Sequence, residues 1–186
     1  MKIAIVTGAS SGMGREFVYA LDREGKYEEI WVIARRLDRL ESLKTECKTP
    51  IRPIALDLGK AESFDTYRAL LETEKPDVSV LVNCAGFGKF GTYAEIPTEV
   101  ACEMIDLNCK ALVRSTEYTL PYMQAGAHIV ELDSLSSFQP VPYIGVYGAT
   151  KAFVLSYSRA LNVERSAPAG CAPTSSTAPR PTARTP

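Results

Sequence analysis

The chain has 186 residues, 46% of them apolar and 23% charged, with a formal net charge of −1. That length suits one domain with a substantial core, and the near-neutral balance argues against a nucleic-acid or membrane surface. The five cysteines are scattered, form no CxxC pair and stand apart from the single histidine, His128. This excludes structural zinc and a disulfide framework and points to a reduced, cytoplasmic protein.

In chain order, "KIAIVTG" is an apolar run that breaks at Gly8, and it predicts a buried strand. "GMGREFVYALDRE" follows, with Phe17, Val18 and Leu21 at helical spacing. "EIWVIA" predicts a second strand, "LDRLESLKTE" a charged helix, "IRPIALD" a third strand and "ESFDTYRALLETE" a third helix. "DVSVLVNCAG" predicts a fourth strand, and "EVACEMIDLNCKALVRSTEYTL" a long helix that stops near Pro121. "AHIVELD" predicts a fifth strand, and a last helix starts around Tyr147. Repeated βα order with Val/Ile/Leu-rich strands predicts a doubly wound α/β fold, its parallel sheet covered on both faces.

Three motifs carry chemistry. In "TGASSGMG", Gly8, Gly12 and Gly14 follow the first strand and open the first helix. Glycines there permit a tight turn and let backbone N–H groups approach a pyrophosphate at the positive helix end. The spacing is G-x-x-x-G-x-G, not G-x-G-x-x-G. At the end of the second strand, where NAD-binding folds usually place an acid for the ribose 2′-hydroxyl, stand Ala34, Arg35 and Arg36. An arginine there suits a 2′-phosphate instead. In "YGATK", Tyr147 and Lys151 lie at i and i+4, on one helix face. A nearby ammonium favours the phenolate of a tyrosine whose ordinary pKa is about 10. Ser134, at the end of the fifth strand, is placed to hydrogen-bond a carbonyl oxygen as charge develops, with Ser136 and Ser137 as rivals.

This constellation resembles the short-chain dehydrogenase/reductases over residues 1 to about 165. "TGASSGMG" looks like that family's cofactor loop, which brings in Ser10, Ser11 and Met13. "NCAG" (Asn83, Ala85 and Gly86) looks like its fourth-strand motif, and "YGATK" like its Tyr-x-x-x-Lys signature. Asp57 and Leu58 in "ALDL" match the segment that contacts adenine, and Asn108 in "DLNCKA" matches the helix asparagine of the family's tetrad. The family's interval of thirteen residues before Tyr147 selects Ser134.

The resemblance implies a Rossmann-type sheet of order 3-2-1-4-5, without the family's last two strands. It implies NADP more than NAD as cofactor and a hydride exchange between an alcohol and a carbonyl. Tyr147 would be the general acid–base and Lys151 would lower its pKa and hold the nicotinamide ribose. Ser134 would hold the substrate oxygen, and Asn108 a water linking Lys151 to solvent. The partner would be a small apolar alcohol or carbonyl compound, met by Phe87, Phe90, Phe138, Val141 and Tyr143. A homo-oligomer through the long helix before Pro121 and the last helix is also implied, with neither nucleic acid nor membrane as a partner. "ELDS" departs from the common Asn-Ile-Ser-Ser, and alternation predicts that Glu131 and Asp133 face away from Ser134. Rival readings are a non-catalytic dinucleotide-binding protein and an inert truncated fragment.

Residues 1–165 therefore read as the cofactor-binding domain with its catalytic residues. Residues 166–186 hold five prolines and no large aliphatic side chain, which predicts a disordered tail. The switch occurs abruptly after "ALNVE", where the family pattern continues into a sixth strand, and it reads as a frameshift or truncation.

Overall fold

The computed structural model describes residues 1–166. Five parallel strands form one sheet of order β3-β2-β1-β4-β5. They are β1 (Lys2–Thr7), β2 (Glu29–Ala34), β3 (Ile51–Ala55), β4 (Asp77–Asn83) and β5 (His128–Glu131). The predicted order and parallel sense hold. The expectation of a disordered, truncated tail falls on residues outside the described ones.

Period-two alternation divides the core. Ala4, Val6, Ile30 and Val32 face one side, where they pack with Val18 and Leu21 of α1 (Gly12–Glu24). Leu40 of α2 (Leu37–Glu41) and Leu43 of α3 (Leu43–Glu46) join the same layer. Ile3, Ile5, Trp31 and Ile33 face the other side. There they meet Phe64, Tyr67 and Leu71 of α4 (Ser63–Glu74). Both faces of the central strands are dry, as an all-parallel sheet requires. α1 stops at Gly25, whose φ of 62° ends the helix in the left-handed conformation.

Three details differ from expectation. The second helix is broken at Ser42 into α2 and α3. The fourth strand ends at Asn83 and the fifth at Glu131, so both C-terminal ends open into loops. The last helix, α7 (Gly145–Ser166), starts close to Tyr147, as expected. The long helix is not uniform: α5 (Thr98–Ile105) passes into a π-helical stretch at Asp106–Ala111, then α6 (Leu112–Thr119) and a 3-10 turn at Leu120–Tyr122. The wider turn re-aims the side chains it carries, Asn108 among them, which is how such bulges serve sites. Among the described residues no helix is long and apolar enough to cross a membrane.

Candidate active site

β1 is flanked by β2 and β4, so the chain leaves the sheet in opposite directions on its two sides and opens a crevice at the strand C-termini. The turn after β1 fills the crevice floor. Gly8 has φ of 69°, and a Cβ there would lie 2.8 Å from the Ala85 nitrogen and the Cys84 carbonyl carbon. A Cβ on Gly14 would lie 2.7 Å from the Gly8 carbonyl carbon. Turn, helix and the end of β4 thus touch backbone to backbone, and a side chain at either glycine would push them apart. Ser11, the residue before α1, makes no side-chain cap bond, so it leaves the first N–H groups of the helix to other acceptors.

Thr7 and Asn83 stitch the two strand ends together. Cys84 N and Ala85 N both donate to Thr7 Oγ1 at 3.2 Å. Asn83 is buried, and its amide donates to Thr116 Oγ1 (2.9 Å) and Glu131 Oε1 (3.3 Å) while Ser115 Oγ donates to its Oδ1 (2.8 Å). Its side chain is therefore fully engaged below the crevice. Asn83 is not among the residues that line the cavity, and it anchors the loop that is.

The crevice is a cavity of about 880 Å3. Gly8, Ser10, Ser11, Gly12, Met13 and Gly14 line one end; Arg35, Arg36, Asp57 and Leu58 form the corner beside it. Ala85 and Gly86 lie between, and Ser134, Tyr147 and Lys151 close the far end. Of the catalytic and cofactor residues chosen from sequence, Asn83 and Asn108 stay off the cavity wall; of the expected apolar wall, Phe87 and Phe90 line the cavity whereas Phe138, Val141 and Tyr143 do not. Arg36 donates to Ser10 Oγ and Ser11 Oγ, both at 2.9 Å. Arg35 is exposed on the wall and makes no side-chain hydrogen bond among the described residues. Asp57 Oδ1 accepts from Gly59 N at 3.1 Å, which fixes the turn after β3.

Asn108 acts as a clamp. Its Oδ1 accepts from Phe87 N (3.0 Å), and its amide donates to Phe87 O (2.9 Å) and to Thr150 Oγ1 on α7 (3.1 Å). The loop after β4 is thereby tied to the helix that carries Tyr147 and Lys151. Thr150 went unnoticed in the sequence because a hydroxyl inside a helical signature has no pattern of its own. Gly88 also went unnoticed; a Cβ there would meet the Tyr147 ring at 2.8 Å, so the ring lies directly on that backbone.

Among the three serines the geometry discriminates. Ser137 Oγ is spent on Asp133 Oδ2 (2.9 Å) and Ser134 O (2.7 Å). Ser136 is buried and donates to Ser134 Oγ from both its N–H (3.3 Å) and its hydroxyl (3.1 Å). Ser134 Oγ accepts two bonds, so its own proton is left to point elsewhere, and Ser134 alone of the three lines the cavity.

Lys151 is only 7% exposed. Its Nζ donates to Leu132 O at 2.6 Å and lies 5.7 Å from the Tyr147 ring centre. Burial pulls its pKa below the ordinary lysine value, against the pull of Asp133, Cys84, Cys109 and Glu131 in the other direction. The two acids therefore do bear on the site: β5 ends at Glu131, and the alternation that was to carry Asp133 away from the crevice ends with it. Cys84 lines the cavity, and burial raises its thiol to about 11. His128 sits at the start of β5, in a separate groove between α1 and the sheet. Among the described residues no cluster of His, Cys, Asp and Glu is placed to hold a metal.

Glu131 yields a prediction. Burial raises its pKa above the ordinary carboxylate value, although Thr116, Asn83 and Lys151 oppose the shift, and its Oε2 is buried without a partner. The folded state then holds the Glu131 proton to higher pH than the unfolded state does. Stability is lost as pH rises from the ordinary carboxylate range through the raised value. Glu131→Gln keeps the Oε1 acceptor without the charge. Its Tm should exceed that of the parent at pH 8 by about 2–4 °C per kcal/mol gained, and the two should converge at pH 4. Thermal melts across pH test this; a Gln variant less stable at pH 8 sinks it.

The family model for short chain dehydrogenases matches residues 2–170. This chain belongs to that family. An uncharacterized oxidoreductase of Staphylococcus epidermidis is 31% identical over 165 residues, 88% of this chain and 71% of that protein. A short-chain dehydrogenase from Sphingobium yanoikuyae, solved in complex with NADPH, superposes with a TM-score of 0.79 at 30% identity, covering 88% of this chain and 66% of that one. An alcohol dehydrogenase of Thermococcus sibiricus, complexed with 5-hydroxy-NADP, gives a TM-score of 0.79 at 32% identity over 88% of this chain and 71% of its own. Membership in the short-chain dehydrogenases accounts for the fold of this chain, which spans about two thirds of the length of the solved structures it matches.

Proposed function

We propose that the protein interconverts an alcohol and a carbonyl compound with NADP(H), using Tyr147 as general acid–base. The observation that carries this reading is that Ser134, Tyr147 and Lys151 share one cavity with the glycine turn and the Arg35–Arg36 corner. The residues fit the dinucleotide: the Gly8–Gly14 backbone contact leaves N–H groups and open space where a pyrophosphate needs them, and the end of β2 offers Arg35 and Arg36 rather than an acid at the place for the ribose, with Asp57 at the turn after β3. When bound, the cofactor supplies the hydride.

The chain's own residues manage the proton. Tyr147 gives its phenolic proton to the carbonyl oxygen in reduction and takes it back in oxidation. The Lys151 ammonium stabilises the phenolate, and two of its N–H groups remain after the bond to Leu132 O. Ser134 directs its free proton at the same oxygen, held in that orientation by Ser136. Asn108 keeps Phe87 and α7 in register through its side-chain bonds to Phe87 and Thr150, and its part in holding a water that links Lys151 to solvent belongs to the same proposal. The substrate is a small carbonyl compound with an apolar portion, met by Phe87 and Phe90 at the cavity mouth. A homo-oligomer through α5–α6 and α7 belongs to the same proposal, supported by exposed Ile105, Phe153 and Val163 on those helices.

Cofactor choice gives the direct test. With Arg36 held by Ser10 and Ser11, the free guanidinium of Arg35 is the group for the 2′-phosphate. NADPH should bind more tightly than NADH by about 1–3 kcal/mol, the scale of a charge-assisted bond. Arg35→Ala should erase most of that difference. Calorimetric titration of both cofactors checks it; equal affinities in the parent chain would refute the assignment.

A further inference from the structure

We propose that Arg15, which lines no part of the cavity, is a positioning residue for discrimination between NADPH and NADH. The inference rests on the reading that Arg35 meets the 2′-phosphate.

Arg15 stands one residue beyond Gly14, on the first turn of the helix that opens at the cofactor loop. Its guanidinium reaches across to the α2–α3 corner and uses all three nitrogens. Nη1 donates to Arg39 O at 2.9 Å, and Nη2 donates to Ser42 Oγ at 2.7 Å and to Glu46 at 2.6 Å and 2.7 Å. Nε donates to Tyr19 Oη at 2.7 Å, and Tyr19 in turn donates to Glu46. Ser42 Oγ also donates to Arg39 O at 3.0 Å, which closes the network. The Tyr19 and Arg15 bonds hold the Glu46 carboxyl below the ordinary carboxylate range.

The corner needs such a hold. α2 and α3 have five and four residues, far too short to be helical by themselves. Leu40 and Leu43 bind them to the core, but apolar burial is non-directional and leaves their rotation loosely fixed. A planar guanidinium fork bonded at both ends is directional. Arg35 and Arg36 lead straight into α2, so the angle at which they meet the cavity is the angle that Arg15 sets. The glycine turn and Asp57 are held by other contacts, the Gly8–Gly14 approach and the Gly59 N–H. Contacts common to both dinucleotides therefore do not depend on Arg15, whereas a contact to the 2′-phosphate does.

The test is calorimetric titration of the full chain with NADPH and with NADH, which needs no turnover. Arg15→Met keeps the apolar stem and removes the fork. It should lower the NADPH-to-NADH affinity ratio by roughly fivefold to tenfold, with NADH affinity changed less than about twofold. Glu46→Gln loosens the same clamp from the far side and should shift the ratio in the same direction by less; it decides the matter if Arg15→Met does not fold. In an Arg35→Ala background, Arg15→Met should leave the ratio unchanged, because the group it positions is gone. Equal weakening of both cofactors, or an unchanged ratio in both clamp variants, overturns the role of Arg15 and leaves the 2′-phosphate reading standing. Equal affinity of the parent chain for both cofactors overturns that reading and this inference with it.

Discussion

Tyr147→Phe should lower the rate of carbonyl reduction by about 10²–10⁴-fold, the range a positioned proton donor contributes, while NADPH affinity stays within about twofold. The reasoning is geometric. The Tyr147 ring lies against Gly88 backbone and beside the Lys151 ammonium. A phenylalanine keeps that ring, its contact with Gly88 and the helix that bears it. Only the hydroxyl is lost. No other hydroxyl takes its place: Ser134 hydrogen-bonds the same oxygen but has no ammonium beside it as Tyr147 has, Ser136 donates to Ser134 Oγ, and Thr150 Oγ1 is tied to Tyr147 O at 2.7 Å and to Asn108. The measurement is consumption of NADPH with a ketone panel, alongside calorimetry of cofactor binding. A variant with near-parental turnover removes Tyr147 from the chemistry. A variant that loses cofactor as well shows that the hydroxyl held the site together.

Gly14→Ala should cost the protein both stability and cofactor affinity. The added carbon would lie 2.7 Å from the Gly8 carbonyl carbon and 3.2 Å from Ala9 N, and both are backbone atoms that cannot swing aside. Either α1 backs away from the turn or the turn flattens into the cavity. Overpacking of this kind costs about 1–3 kcal/mol, or roughly 2–12 °C of Tm in a chain of this size. NADPH affinity should fall at least about tenfold, because the helix N-terminus and the turn no longer converge on one anion. Gly25→Ala is the control: its φ of 62° imposes local strain, but nothing lies within 4 Å of the added carbon. It should lose some stability and keep its affinity. Parental NADPH binding by a folded Gly14→Ala protein would show that the close approach is dispensable.

Much of this was legible in the sequence, because the relevant signals are local. Buried parallel strands read as short aliphatic runs, so β1, β2 and β4 begin where the runs begin. The glycines and the Tyr147–Lys151 pair are fixed by covalent spacing along one element, and they fall on the cavity wall. Contacts that join distant elements were not legible. Nothing in "NCAG" says that the Asn83 amide turns down into Thr116 and Glu131 rather than up into the crevice. Nothing in "DLNCKA" says that the backbone widens to a π-turn there, since apolar periodicity hardly distinguishes one such turn from a continuous helix. Arg15 reads as a solvated helix residue until α3 is folded against it. Strand ends were also overrun by a few residues, because side-chain pattern continues after hydrogen-bond pairing has stopped.

The sheet order has a consequence for how the protein is made. β1 pairs with β2 on one side and with β4 on the other, and Thr7 bonds Asn83 across 76 positions of sequence. During synthesis at about 5–20 residues per second, those positions take roughly 4–15 s to appear. Throughout that interval one edge of β1 has no neighbour, and its aliphatic side chains have no completed layer to enter. The cofactor crevice does not exist until β4 arrives, so bound dinucleotide cannot rescue the earlier intermediates. Nascent chains shorter than the end of β4 should therefore depend on ribosome-associated chaperones, and any mutation that slows capture of β4 should appear as lost yield before it appears as lost affinity.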